Sequence, residues 1–110
     1  MRAKRRDANH VTIGDHLRSL GWSVLDIADC GDGVPDYAVA YRWPIGAYTA
    51  LVEVKDGSKP PSKRTLTEKE QKVKDGWQGD YHIVLSPEDA ETKLNAAMVR
   101  AGYCKQEDVA

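Results

Sequence analysis

Asp36, Glu53 and Lys55 are the side chains of this sequence whose types and order could carry chemistry. Carboxylate oxygens are ligands that Mg²⁺ prefers, and the ion keeps several waters when only one or two carboxylates hold it. An ammonium group beside such an ion stabilises the charge that develops on a reacting phosphate. Two acids and one lysine in this order therefore indicate metal-assisted hydrolysis of a phosphodiester, the reaction that cuts nucleic acid.

The residues around Glu53 and Lys55 predict a strand. From Thr49 to Lys55 the sequence alternates, with Glu53 and Lys55 on one face and Val52 and Val54 on the other. An acid and a base on an otherwise apolar strand are costly to bury unless they are paired or bound to a metal. The strand therefore needs a partner for its charged face.

A second strand begins directly after Asp36 and runs from Tyr37 to Tyr41. The turn at Ile45-Gly46-Ala47 predicts an antiparallel hairpin between this strand and the one that carries Glu53. In that pairing the start of one strand lies beside the late part of the next. Both acids are therefore expected at the same end of the sheet.

Each part of this pattern also has an ordinary structural explanation. A Glu-x-Lys pair is common on solvent-facing strands, and Pro-Asp after a glycine is a common turn. Asp36, Glu53 and Lys55 would then form a salt-bridge group in a structural or accessory protein. The metal-site interpretation is favoured because the motifs occur together, in order, with strand character around both.

The rest of the chain predicts the scaffold that positions these residues. The order α-β-β-β-α-β-α predicts one α/β domain over residues 1–110, in which a mixed central sheet is flanked by helices. Residues 1–6 are expected to form a basic tail, and residues 104–110 are expected to form a frayed end. In the first strand, Leu25 is expected to be buried. The predicted elements are a helix from Asp7 or Asn9 to about Leu20, a strand over Ser23–Ile27, the hairpin, a helix over Leu66–Trp77 with a Thr67/Glu70 capping box, a strand over His82–Leu85, and a helix capped by Ser86 with Ala90, Leu94, Ala97 and Met98 facing inward.

Charge composition argues against a uniformly basic nucleic-acid coat protein, because the 110 residues carry a formal net charge of −1. Two local basic clusters remain as candidates for contacts with DNA phosphates. Arg5 and Arg6 lie in the N-terminal tail, and Lys59, Lys63 and Arg64 follow the Glu53 strand. The alternatives are a solvated tail and a charged loop.

Cysteine usage and hydropathy predict the compartment. Cys30 and Cys104 lack metal-ligand spacing, and no signal peptide or stretch long enough to span a membrane is recognised. We therefore expect a cytoplasmic protein with free thiols, no zinc site and no membrane partner.

Together these features resemble the PD-(D/E)XK nuclease superfamily, and within it the archaeal-type Holliday junction resolvases and VRR-NUC domains of short phage-encoded proteins. The resemblance covers residues 6–90 and includes the order of elements, Pro35-Asp36, Glu53-Val54-Lys55 and the helix that carries Gln71. Further similar stretches are Asp7-Ala8-Asn9, Leu17-Arg18, Gly31-Asp32-Gly33, Asp56-Gly57, Pro60-Pro61-Ser62 and Leu66-Thr67.

The resemblance implies a metal-dependent DNA endonuclease. Asp36 and Glu53 would bind Mg²⁺ or Mn²⁺ with the Val54 carbonyl, and Lys55 would hold the attacking water or stabilise charge on the phosphate. Gln71 would orient water or phosphate, with a solvated helix position as the alternative. Branched or flapped DNA as substrate, and a homodimer that cuts two strands, follow from the same resemblance.

His10 departs from the family pattern, because many resolvases carry a glutamate at this place that supports the metal site. Histidine is a poorer Mg²⁺ ligand than a carboxylate. His10 would hold a water, favour Mn²⁺ or be a surface residue, and Asp7 could substitute for the missing acid. This departure supports a second hypothesis, a catalytically inactive relative that binds nucleic acid or a protein partner.

Overall fold

The structure is a computed structural model that describes residues 8–109. Its elements confirm the predicted α/β fold and the predicted order of strands and helices. They are α1 (Ala8–Ser19), β1 (Ser23–Asp26), β2 (Tyr37–Trp43), β3 (Gly46–Val54), α2 (Glu68–Gly76), β4 (Asp80–Val84), α3 (Pro87–Arg100) and α4 (Gln106–Val109), with 3₁₀ turns at Ala28–Cys30 and Pro61–Lys63. None of these helices is long and apolar enough to cross a membrane.

The four strands form one mixed sheet in the order β1-β2-β3-β4. The first two pairings are antiparallel, and β4 joins β3 in parallel after the crossover through α2. The predicted hairpin is confirmed, because Tyr37 pairs with Val52 at one end and Trp43 with Gly46 at the other. Continuing this register one step past Tyr37 brings Asp36 opposite Glu53.

One face of the sheet packs against α1 and α3 to form the core. Ile13 and Leu17 of α1 are fully buried there, and so are the four predicted inward positions of α3. Gly14 allows α1 to approach β2 closely, because a Cβ at this position would lie 2.8 Å from Cζ of Tyr37. Close packing of α1 on β2 brings the start of α1 to the end of the sheet where Asp36 lies.

The other face of the sheet is covered only in part, by α2. The predicted capping box is confirmed: Thr67 Oγ1 accepts a hydrogen bond from the Glu70 amide, and the Glu70 carboxylate accepts one from the Thr67 amide. Beyond α2 an apolar groove of about 510 Å³ stays open, lined on this face by Leu25, Ala38, Ala40, Thr49, Leu51 and Trp77. The expectation that Leu25 is buried is therefore wrong, and its side chain is 63% exposed at this groove.

The C-terminal residues differ from the expected frayed end. Residues 106–109 form α4, whose first turn is capped by a hydrogen bond from the Lys105 amide to Asp108 Oδ2. Asn95 Nδ2 of α3 donates to the Val109 carbonyl, and Val109 packs against the core. These contacts order the segment up to residue 109. The predicted basic tail over residues 1–6 lies outside the described residues.

Candidate active site

Asp36 and Glu53 meet at one end of the β2–β3 hairpin, as the sequence predicts. Both are buried, with 7% and 4% of their surfaces exposed. Their carboxyl groups lie close enough for the charge of Asp36 to raise the pKa of Glu53, and Asp36 Oδ2 accepts a bond of 2.7 Å from the Val54 amide. The Asp36 carboxylate therefore accepts the Val54 amide just beyond the point where the β2–β3 pairing ends. This bond to the backbone fixes the orientation of the carboxylate.

Burial makes the Glu53 carboxyl a much weaker acid than usual. Its pKa rises from 4.5 to about 9, mainly because desolvation penalises the charged form, and the neighbouring charges of Asp36 and Glu70 add to the rise. Lys55 opposes the shift only in part. At neutral pH the metal-free Glu53 side chain therefore keeps its proton.

Lys55 lies beside Glu53 on the charged strand face but donates its hydrogen bond to Glu70 of α2. Its Nζ is 3.7 Å from Glu53 Oε2 and 2.8 Å from Glu70 Oε1, to which it donates a hydrogen bond. Burial alone would lower the pKa of Lys55, yet the Glu70 bond and the charges of Glu53, Glu70 and Asp36 outweigh burial and raise it. Lys55 is therefore an ammonium group, which makes it an electrostatic and donor group rather than a base.

Glu70 is a site residue that the sequence singled out only as a helix cap. It is buried, and its Oε1 accepts from both Lys55 Nζ and the Thr67 amide. Burial would raise the pKa of Glu70, but these two bonds outweigh burial and lower it. The capping motif correctly predicted the bond from the Thr67 amide, whereas the bond from Lys55 depends on how α2 packs against β3.

Gly33 allows α2 to reach this position. The residue has a φ of +83°, and a Cβ there would lie 2.4 Å from the carbonyl carbon of Lys69 and 2.8 Å from the Glu70 amide nitrogen. Only glycine combines that left-handed conformation with so close an approach. The loop before Asp36 and the first turn of α2 therefore contact each other directly.

Gln71 was expected near the acids, but the structure places it on the exposed side of α2. Its Nε2 donates a hydrogen bond of 2.8 Å to Asp75 Oδ1, one helical turn later. Glu70, one residue earlier, faces Lys55 instead. The structure therefore does not bring Gln71 to Asp36 and Glu53.

His10 is buried and contacts the Asp36 oxygen that does not bond to Val54. Its interpretation as a surface residue is therefore wrong. Its Nδ1 lies 3.1 Å from Asp36 Oδ1, and its Nε2 lies 3.2 Å from Asp26 Oδ2. Only the imidazolium form donates both bonds at once. The Tyr37 hydroxyl donates to the His10 carbonyl at 2.7 Å and thus fixes this turn of α1.

Asp26, like Glu70, is an acid near the site that the sequence did not predict there. It pairs with Tyr37 across β1 and β2, which places it next to the start of β2. Its only sequence signal was a polar residue at the end of a short strand. His10 thereby links the carboxylates of Asp26 and Asp36.

The predicted DNA-contacting residues that can be located lie in the loop between β3 and α2. Lys59 and Lys63 are exposed, and Arg64 is partly buried. Arg64 Nε is buried with no hydrogen-bond partner among residues 8–109. Because the loop begins at Lys55 and ends at the helix of Glu70, both its ends lie at the site. Arg5 and Arg6 lie outside the described residues.

The donor set fits a hard divalent ion that keeps water. Across the described ranges, no group of three His, Cys, Asp or Glu side chains is arranged to hold a metal. Mg²⁺ nevertheless binds commonly through one or two carboxylates, with waters and substrate phosphates as its other ligands. Glu53 lies beside Asp36 and Glu70, and the nearest ammonium, on Lys55, bonds to Glu70 instead. A cation beside Glu53 would therefore reduce the repulsion among these carboxylates. Asp36, Glu53 and the nearby Val54 carbonyl are the groups that could hold one.

Comparisons of this chain with family models, with curated proteins and with solved structures found no match. The relation to PD-(D/E)XK nucleases therefore remains a resemblance carried by the residues and element order described above.

Proposed function

We propose that this protein is a metal-dependent DNA endonuclease in which Asp36 and Glu53 bind Mg²⁺ or Mn²⁺. The observation that carries this proposal is the buried pair of carboxyls at one sheet end, with the Lys55 ammonium beside it. Two acids that share a buried site are costly unless a proton or a metal offsets their charge, and the ammonium nearest to Glu53 stands 3.7 Å away. A phosphodiester presents the oxygens that would complete such a site.

Each residue has a role that follows from its contacts. The bound ion supplies Lewis-acid polarisation of the phosphate and a more acidic water. Asp36 is oriented by the Val54 amide and by His10, so its free lone pairs are held in one direction. Lys55 stays charged and donates to the phosphate or to the attacking water, and Glu70 keeps the ammonium in place. The Val54 carbonyl is the third candidate ligand.

DNA is the proposed partner because Lys59, Lys63 and Arg64 lie in the loop that leaves the site. Phosphate contacts of this kind position a duplex or single strand without reading its sequence. Branched or flapped substrates and a homodimer remain part of the proposal through the family resemblance. Free thiols at Cys30 and Cys104 support a reducing, cytoplasmic compartment.

The second candidate is a catalytically inactive module that binds DNA or a protein partner. One observation favours it: His10 contacts Asp36 Oδ1, an oxygen that a metal would otherwise be free to use. The His10 contact therefore already occupies one oxygen of the Asp36 carboxylate without a metal. Such a protein would bind DNA through the same loop but would not cut it.

Cleavage of labelled single-stranded, duplex, flap and four-way-junction DNA, in Mg²⁺, Mn²⁺ or EDTA, tests the two candidates. We expect metal-dependent cleavage by the wild type and none by Glu53→Gln, which keeps the shape of the side chain but removes its charge. Glu68→Gln, an exposed acid in the first turn of α2, is the matched control and should cut normally. Binding without cleavage on every substrate would reject the nuclease and favour the inactive module.

A further inference from the structure

Tyr81 lies beside the acidic residues and has no role in the function proposed so far. In the parallel β3–β4 ladder it pairs with Leu51, and Ile83 pairs with Glu53. Paired residues share a sheet face, and residues two apart on a strand share it too. The Tyr81 side chain therefore projects on the same face as Glu53, one residue pair away along the ladder.

The hydroxyl of Tyr81 is buried and has no hydrogen-bond partner within the described part of the chain. Buried polar groups almost always have a partner, so a phenol without one needs an explanation. Burial raises the pKa of this phenol, and the charges of Glu53, Glu70 and Asp36 raise it further, in that order. The hydroxyl therefore stays protonated and can donate a hydrogen bond close to three carboxyl groups.

Of these three carboxyls, Glu53 is the one that accepts no hydrogen bond from an amide, imidazole or ammonium group in the described part of the chain. Asp36 already accepts from Val54 through one oxygen and contacts His10 through the other. Glu70 accepts twice through Oε1, from Lys55 and from Thr67. Glu53 lies beside Asp36, whose charge raises its pKa, and its nearest ammonium, that of Lys55, stands 3.7 Å away. A carboxylate can accept about four hydrogen bonds, so a donor is missing at Glu53.

We propose that Tyr81 is a positioning residue whose hydroxyl donates a hydrogen bond to the Glu53 carboxylate when that carboxylate binds a divalent metal. This inference rests on the proposed function, since it assigns the donor that steadies one of the proposed ligands. Carboxylate ligands are themselves hydrogen bonded, and the partner orients the oxygen that faces the ion. In the structure Glu53 lies beside Asp36, and the Tyr81 hydroxyl has no partner within the described part of the chain.

Metal titration by calorimetry, without DNA, tests the role of Tyr81 in wild type, Tyr81→Phe and Tyr41→Phe. We expect Tyr81→Phe to bind Mn²⁺ or Mg²⁺ about 10- to 100-fold more weakly than the wild type. Tyr41→Phe makes the same chemical change on the opposite sheet face, between Trp22 and Trp43, and should bind as the wild type does. Equal affinity in Tyr81→Phe and wild type would overturn the role of Tyr81 alone.

Thermal unfolding separates positioning from a merely structural role. In EDTA, Tyr81→Phe should have the same or a higher Tm than the wild type, because it deletes a buried donor that lacks a partner. With saturating metal, its Tm gain should be smaller than that of the wild type. A wild type that binds neither metal would overturn the proposed function together with the role of Tyr81.

Discussion

Lys55 Nζ donates a hydrogen bond of 2.8 Å to Glu70 Oε1, and this bond joins the charged end of β3 to the first turn of α2. The same oxygen accepts from the Thr67 amide at 2.8 Å, which is one half of the helix cap. A single carboxylate therefore sets where α2 begins and where the ammonium of Lys55 is held. Helix capping and the geometry of the proposed site are thus coupled through Glu70.

Substitutions of Glu70 should separate these two roles. Glutamine preserves a capping box but removes the negative charge, so Glu70→Gln should retain most stability and lower the cleavage rate by about 10-fold. Glu70→Ala also leaves the Lys55 ammonium without its acceptor. It should lower the free energy of unfolding by about 1–3 kcal/mol. Urea unfolding and initial cleavage rates measure both effects. Gln71→Ala is the control, and a larger loss of activity there would place Gln71 in the site instead.

Stability of the metal-free protein should depend on pH through Glu53. Because its pKa is about 9 in the folded protein and 4.5 ordinarily, the folded state holds this proton more tightly than the unfolded state. The stabilising contribution is complete below the ordinary pKa and is lost as the pH rises through the folded one. Urea unfolding in EDTA should therefore show stability falling with pH across that window.

Glu53→Gln should flatten this pH dependence, since its amide does not titrate. Glu88→Gln, an exposed acid in the first turn of α3, provides the comparison and should keep the wild-type slope. An identical slope in wild type and Glu53→Gln would show that another group controls the pH response.

Exposed lysines of the β3–α2 loop should contribute to DNA affinity through phosphate contacts. Replacing Lys59 and Lys63 together by alanine should weaken binding and make the slope of log K against log salt shallower by about 2. Fluorescence anisotropy on a Glu53→Gln background measures binding without cleavage. Lys105→Ala, an exposed lysine before α4, should leave the slope unchanged, and no change in the double variant would remove the loop from the interface.

Gly33→Ala should displace α2 and thereby disturb the site. A Cβ would meet the Lys69 carbonyl carbon at 2.4 Å, so overpacking should cost about 1–3 kcal/mol in addition to the strain of a positive φ. Gly31→Ala is the matched control, since Gly31 also has a positive φ but its Cβ would meet nothing within 4 Å. Urea unfolding should show the larger loss for Gly33→Ala, together with a lower cleavage rate. Equal losses in the two variants would mean that the close approach of α2 is unimportant.

Local patterns in the sequence were sufficient to predict the elements and the meeting of the two principal acids. Asp36 and Glu53 belong to neighbouring strands of one hairpin, so alternation and the turn alone determine that they lie opposite each other. The capping box at Thr67 and the four buried positions of α3 are likewise properties of a single segment. In each case the interacting residues are close in sequence or repeat with the period of one element.

Tertiary packing decided which polar side chains join those acids. Successive helix residues point about 100° apart, so the choice between Glu70 and Gln71 depends on how α2 is rotated against β3. His10 meets Asp26 and Asp36 only because α1 packs closely on β2. Leu25 is exposed because α2 leaves the β1 edge of the sheet open. Periodicity within a segment shows which side is apolar, whereas the partner of a buried polar group is set by another segment that is distant in sequence.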